Sequence, residues 1–285
     1  IEGVRTLITY NDKTNLLELR RYKYSLQDIP EPNLYRDNYS YDEVPKVTFN
    51  YRQVPMNVPE KIWLTDTTFR DGQQSRAPYT AKQIATLYDM LHRLGGPKGK
   101  IRQCEFFLYS ENDRRAIEAC RELGYEFPEI TGWIRATKED FKLVKEMGMP
   151  ECGILVSCSD YHIFNKLHKT RKQAIDGYLE IVEAGLGMGI TPRHFEDVTR
   201  ADFYGCVVPF ATELKKLMDK YQLPVKIRFC DTMGYGVPYP GATLPRSVGG
   251  IIYGVNYFAQ IPSELLEWHG HNDFYKAVVN STTAW

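Results

Sequence analysis

From Lys61 onward the chain repeats one pattern about every 30 residues, a short apolar run followed by a stretch of helical periodicity, and this repeat restricts the fold more than any other feature. The runs predict strands at 62–66, 102–108, 129–134, 152–157, 190–196, 225–230 and 265–270. Helices are expected near 81–94, 111–123, 137–147, 168–187, 202–221 and 245–258, with a last one beginning near Phe274. Gly95-Gly96, Gly124, Gly148 and Gly189 each follow a predicted helix, where glycine supplies the C-terminal stop. Seven βα units in succession point to an α/β fold, a (β/α)8 TIM barrel over residues 61–285 whose last unit is missing. The alternative, an open doubly wound sheet, would normally carry a phosphate loop after its first strand. Arg70-Asp71-Gly72-Gln73-Gln74 has neither the Gly-x-Gly-x-x-Gly nor the Gly-Lys-Ser/Thr pattern.

Residues 1–60 carry Pro30, Pro32, Pro45, Pro55 and Pro59 and spread tyrosine and charge without sustained periodicity. They are expected to form an N-terminal extension, an arm lying on the barrel or on a second subunit. The segment's aromatic content argues against simple disorder, and a flexible lead-in is the other reading. The 285 residues balance 36 basic against 36 acidic side chains, so no net field recruits nucleic acid or an anionic membrane. No run approaches the roughly 20 apolar residues of a membrane span and no signal-peptide pattern opens the chain, so a cytoplasmic location is expected. Cys104, Cys120, Cys152, Cys158, Cys206 and Cys230 form no Cys-x-x-Cys pair and read as reduced core residues.

Chemistry in such a barrel gathers at the C-terminal strand ends, and charge is concentrated there. The first strand runs from Ile62-Trp63-Leu64 into Thr65-Asp66-Thr67-Thr68-Phe69-Arg70-Asp71-Gly72-Gln73-Gln74. Two hundred residues later, Trp268-His269-Gly270-His271-Asn272-Asp273 places two imidazoles on one face of an extended segment, because side chains i and i+2 point the same way. A carboxylate with two imidazoles makes most of a divalent-metal site. Glu105 and Arg135 sit at the second and third strands, and Ser157 to His162 follow the fourth. Arg193, His194, Glu196 and Asp197 come from the fifth, and Asp231 and Thr232 from the sixth.

Asp66-Thr67-Thr68-Phe69-Arg70-Asp71-Gly72-Gln73-Gln74 together with His269-Gly270-His271-Asn272-Asp273 resembles the metal-dependent acyl-transferring barrels, the isopropylmalate, homocitrate and Re-citrate synthases with hydroxymethylglutaryl-CoA lyase. The longer runs from Glu105, Ile130 and Cys230 look most like the Re-citrate synthase branch. The resemblance implies that Asp71, His269 and His271 bind a divalent metal, Mn2+ favoured with Mg2+, Co2+ or Zn2+ as alternatives. The family's fourth ligand, an Asn after the eighth strand, has no counterpart before Trp285. It further implies that Arg70 lies beside the substrate carbonyl and that Glu196 and Thr232 line the keto-acid pocket. Gln73, Arg135 and Arg193 are added as expected substrate contacts, Arg193 being read either as the cation for a second carboxylate or as a surface arginine paired to Asp197. The proton acceptor is left between His162 and Glu196.

The implied activity is a Claisen condensation of acetyl-CoA with a 2-oxo acid, oxaloacetate first, in a homodimer with no nucleic-acid or membrane partner. Homocitrate or isopropylmalate synthesis is the runner-up, then carbon–carbon cleavage as in hydroxymethylglutaryl-CoA lyase. A non-catalytic barrel is the third reading.

Overall fold

The computed structural model describes residues 8–19, 25–26, 28–32, 48–49, 52–53, 60–191, 195–239 and 241–285. The chain divides into two units, residues 1–45 and 46–285. In the first, β1 (Ile8–Asn11) and β2 (Leu16–Leu19) pair antiparallel. Their turn is held by Asn11, whose Oδ1 accepts the Lys13 and Thr14 amides at 2.9 and 3.3 Å. Most of the expected arm lies outside the described residues.

The second unit opens with a short hairpin, β3 (Thr48–Phe49) and β4 (Arg52–Gln53), and then builds the repeat. β5 (Leu64–Asp66), β6 (Ile101–Phe107), β7 (Glu129–Arg135) and β8 (Cys152–Leu155) pair in parallel in that order. Among the described residues, the expected fifth strand shows single parallel pairings: Glu151 with Thr191, Ser157 with Glu196, and Phe195 with Phe229. These connect β8 to β9 (Ile227–Asp231), which pairs in parallel with β10 (Leu266–Gly270). The result is seven successive strand positions in chain order, the curled parallel sheet of a TIM barrel.

Helices α1 (Ala81–Gly95), α2 (Glu111–Arg121), α3 (Phe141–Glu146), α4 (Arg171–Gly187), α5 (Val208–Tyr221), α6 (Val248–Ala259) and α7 (Ala277–Ala284) alternate with the strands. Their starts are set locally. Thr80 with Gln83, Ser110 with Asp113 and Thr170 with Gln173 form reciprocal capping boxes that satisfy otherwise orphaned amides. Between sheet and helices the core is dense: the Phe195 and Phe210 rings stack at 4.6 Å, and Phe229 meets Phe195 edge-on at 6.0 Å. Gly153 stands opposite Trp133 in register, and a Cβ there would fall 2.3 Å from the indole. Only glycine leaves room for that ring, on which two buried guanidinium groups stack.

Candidate active site

As the chain leaves β5, the amides of Arg70, Asp71 and Gly72 all donate to the Thr67 carbonyl, at 3.2, 2.8 and 3.1 Å. This single tight turn brings Asp71 to the end of β10, 198 positions away in sequence. Asp71 Oδ2 lies 3.2 Å from His269 Nε2 and 3.7 Å from His271 Nε2, and the two ring nitrogens are 3.3 Å apart. Ligand atoms around one divalent ion, each bonded at roughly 2.0–2.2 Å, lie roughly 3.0–3.5 Å from one another. The donor set fits such an ion in chemistry as well as spacing, since one carboxylate and two imidazoles present lone pairs to a common point. The hydrogen bond from His269 holds the Asp71 carboxyl down at about 2 against the opposing pull of burial, with Arg70 assisting. Burial lowers His269, opposed by its hydrogen bond to Asp71.

Behind this triad lies a buried charge stack. Arg70 is 6% exposed and sends Nε to Glu105 Oε2 at 3.0 Å and Nη1 toward Asp71 Oδ1 at 3.5 Å, while its guanidinium stacks 4.1 Å above Trp133. Its Nη2 is buried without a hydrogen-bond partner among the described residues. A buried donor left unmade costs about 1–3 kcal/mol, so this one marks a place where an acceptor belongs. Glu105, wholly buried, also pairs with Arg228, which reaches Glu267 at 2.8 Å. The sequence reading passed over Arg228; the signal available was a cation inside the apolar run Ile227-Arg228-Phe229-Cys230.

A second cluster forms where the fifth strand position meets β8. His162 Nδ1 faces Ser157 Oγ at 2.9 Å and Glu196 Oε2 at 3.5 Å, and its Nε2 is 4.0 Å from Asp197 Oδ2. The two expected base candidates are therefore neighbours. Asp197 is fully buried with φ at +62°, a left-handed conformation that a non-glycine residue adopts only when its surroundings hold it. It accepts from Ser159 Oγ at 2.5 Å and from Arg200 Nε at 2.9 and 3.0 Å. Its amide donates to Thr232 Oγ1 at 2.9 Å, and the Thr232 hydroxyl lies 3.4 Å from Cys230 Sγ. Cys230 is buried, and its sulfur and the His269 and His271 nitrogens all lie within 4.8 Å of one another. Burial pushes its thiol up to about 12, against the Thr232 hydroxyl.

Two of the expected substrate contacts stand apart from these clusters. Gln73 Nε2 donates to the Phe69 carbonyl and its Oε1 accepts from the Tyr79 amide, so both ends hold its own loop. Arg135 is 71% exposed and locked in a two-pronged pair with Asp140 at 2.9 and 3.0 Å, with Tyr109 beneath it. That guanidinium is committed to a structural partner and to solvent. Arg193 lies outside the described residues.

The HMGL-like family model matches residues 61–285. Citrate (Re)-synthase of Clostridium kluyveri is 57% identical over 265 residues, covering 93% of this chain and 58% of that protein. Citrate (Re)-synthase of Syntrophus aciditrophicus is 57% identical over 267 residues, 93% of this chain and 42% of that protein. The 2-phosphinomethylmalate synthase of Streptomyces hygroscopicus is 37% identical over 268 residues, 91% and 60% of the two chains. The chain thus spans about half the length of the first two relatives. Among solved structures, hydroxymethylglutaryl-CoA lyase from Pseudomonas aeruginosa superposes with a TM-score of 0.59 at 19% identity, over 80% of this chain and 74% of that one. That likeness shows the fold alone.

Proposed function

The chain belongs to the HMGL-like family, and on that premise we propose that it condenses acetyl-CoA with oxaloacetate and water to give citrate and CoA. The observation that carries this reading is the convergence of Asp71, His269 and His271 next to a buried, unsatisfied Arg70 donor, in a sequence 57% identical to two Re-citrate synthases. Bound by those three side chains, a divalent cation supplies Lewis acidity at the acceptor's keto oxygen. We take Mn2+ as the working ion, a homodimer as the working assembly and a cytoplasmic location; among the described residues no helix is long and apolar enough to cross a membrane.

The remaining steps fall to the chain's own groups. Arg70 stays protonated and directs its free Nη2 to the oxygen that gains charge as the new carbon–carbon bond forms. Glu105 and the Trp133 face fix that guanidinium, so little reorganisation accompanies the reaction. His162 takes the proton from the thioester methyl, and the Glu196 carboxylate 3.5 Å away stabilises the imidazolium that results. Thr232 lines the acceptor pocket while its hydroxyl ties the Asp197 turn to β9. With Arg135 engaged by Asp140, Arg193 is the residue we assign to the distal carboxylate of oxaloacetate.

The test is CoA release by the full-length protein with acetyl-CoA against oxaloacetate, 2-oxoglutarate and 2-oxoisovalerate. The highest kcat/KM is expected with oxaloacetate. A preference for 2-oxoglutarate or 2-oxoisovalerate would reassign the protein to homocitrate or isopropylmalate synthesis.

A further inference from the structure

The parallel register of β9 and β10 sets two pairs on one face, one above the other, and the chain carries that face past both strand ends. Arg228 stands beside Glu267, Cys230 beside His269, and two residues further along each strand Thr232 follows Cys230 as His271 follows His269. Side chains i and i+2 share a face, so the imidazoles that meet Asp71 and the Cys230 thiol belong to one surface. The lowest pair is an ion pair at 2.8 Å, which fixes that orientation for the whole ladder. Among the six cysteines, all free and buried, Cys230 is the one grouped with two imidazole nitrogens within 4.8 Å among the described residues. Its sulfur has a hydroxyl donor, Thr232 Oγ1 at 3.4 Å, placed to stabilise negative charge on it. A cysteine that merely filled space would need neither the two nitrogens nor the donor.

We propose that Cys230 is a fourth protein ligand, a soft sulfur donor to the same ion that Asp71, His269 and His271 hold, and that it biases the site toward borderline metals. The inference rests on the metal-centre reading above and adds to it a ligand of different chemistry. A thiolate strengthens binding of Co2+ and Zn2+ far more than of hard Mn2+ or Mg2+, for which a carboxylate and imidazoles suffice. The metal that occupies the protein would then depend on which ion the medium supplies, and a mouth built for an oxygen-binding cation would also accept, and hold tightly, a zinc ion.

The experiment is an anaerobic titration of Co2+ into the metal-free, full-length protein, followed by absorption and by calorimetry. The parent is expected to show the intense near-ultraviolet sulfur-to-cobalt charge-transfer band. Cys230→Ser and Cys230→Ala should lose that band while keeping the weaker visible bands of cobalt bound to nitrogen and oxygen. Zn2+ and Co2+ affinity should fall about 10-fold or more in both variants, with Mn2+ affinity changed by less than about 3-fold. Near-ultraviolet circular dichroism of the metal-free variants establishes that they fold, and having two substitutions guards against the failure of one. Calorimetric Co2+ binding by the parent with no charge-transfer band would overturn the role of Cys230 and leave the three-ligand site standing, as would a band that survives in both variants. No Co2+ binding by the parent would bring down the metal-centre reading itself, and this inference with it.

Discussion

The two ends of the barrel use similar side chains to opposite effect. At the N-terminal strand ends, Gln103 Nε2 donates to Glu129 at 3.2 Å and to Glu151 at 3.0 Å, and Lys226 meets both oxygens of Glu151 at 3.0 and 2.9 Å. Gln103 and Lys226 both find carboxylate acceptors there within the protein. At the C-terminal ends, Asp71, His269 and His271 crowd three ligand-type atoms within 3.7 Å of one another, and Arg70 keeps a buried donor unmade among the described residues. Both ends bury polar groups in a low-dielectric interior, where an unpaired group is costly. The floor meets that cost internally. At the mouth the Arg70 donor stays unmet among the described residues, a cost that a bound acceptor would relieve.

The comparison breaks if substitutions at the two ends prove interchangeable. The largest expected effect is at Arg70: Arg70→Ala should lower kcat/KM by about 100- to 1,000-fold, the usual consequence of removing a donor aimed at developing negative charge. Steady-state kinetics with saturating metal checks it, and a loss below tenfold would remove Arg70 from the reaction. Next, His269→Ala or His271→Ala should weaken divalent-metal binding by about 10- to 100-fold in a calorimetric titration. Parent-like affinity in either variant would undo the triad.

Arg193→Ala should reduce kcat/KM for oxaloacetate by on the order of 30-fold and leave 2-oxobutyrate almost untouched. An equal fall for both acceptors would make Arg193 part of the scaffold. At the floor the currency changes from rate to stability. Lys226→Met should cost about 1–3 kcal/mol in urea unfolding, because it removes the ammonium that meets both oxygens of Glu151, while kcat/KM of the folded protein stays unchanged. Smallest of all, Arg135→Ala should keep kcat/KM within about twofold of the parent, since its pair with Asp140 faces solvent. A large kinetic defect there would return Arg135 to the substrate pocket.

The sheet was legible because burial on both faces leaves continuous apolar runs, and because glycine and capping residues punctuate the helices at their ends. Ile101–Phe107 and Leu266–Gly270 fall within a residue of the expected strands. The juxtaposition of the two imidazoles was legible for a related reason: strand periodicity alone puts His269 and His271 on one face. What sequence does not reveal is where a polar side chain spends its hydrogen bonds. Arg135 and Gln73 read as pocket residues by position, yet Asp140, five residues on, captures one, and the backbone of its own loop captures the other. Arg228 looked like part of an apolar strand, and its role depends on Glu105 and Glu267, which only the curled sheet brings near. Cys230 was read as core, and it is buried; its distance from two imidazoles is a property of register.

The span between Asp71 and His269 has a consequence for how the protein matures. An ion held by both joins the first and the seventh strand positions, closing a covalent circuit of 198 positions through the whole βα series. A chain that has not yet brought β5 to β10 lacks that arrangement, so a cation bound there would favour the assembled sheet by about 2.7 kcal/mol when the free ion stands at 100 times its Kd. The ion would thus act as an inspector of folding before it acts as a reagent. Chelation should make the first strand the earliest to loosen, and amide exchange at Leu64–Asp66, compared with and without metal, would record that release.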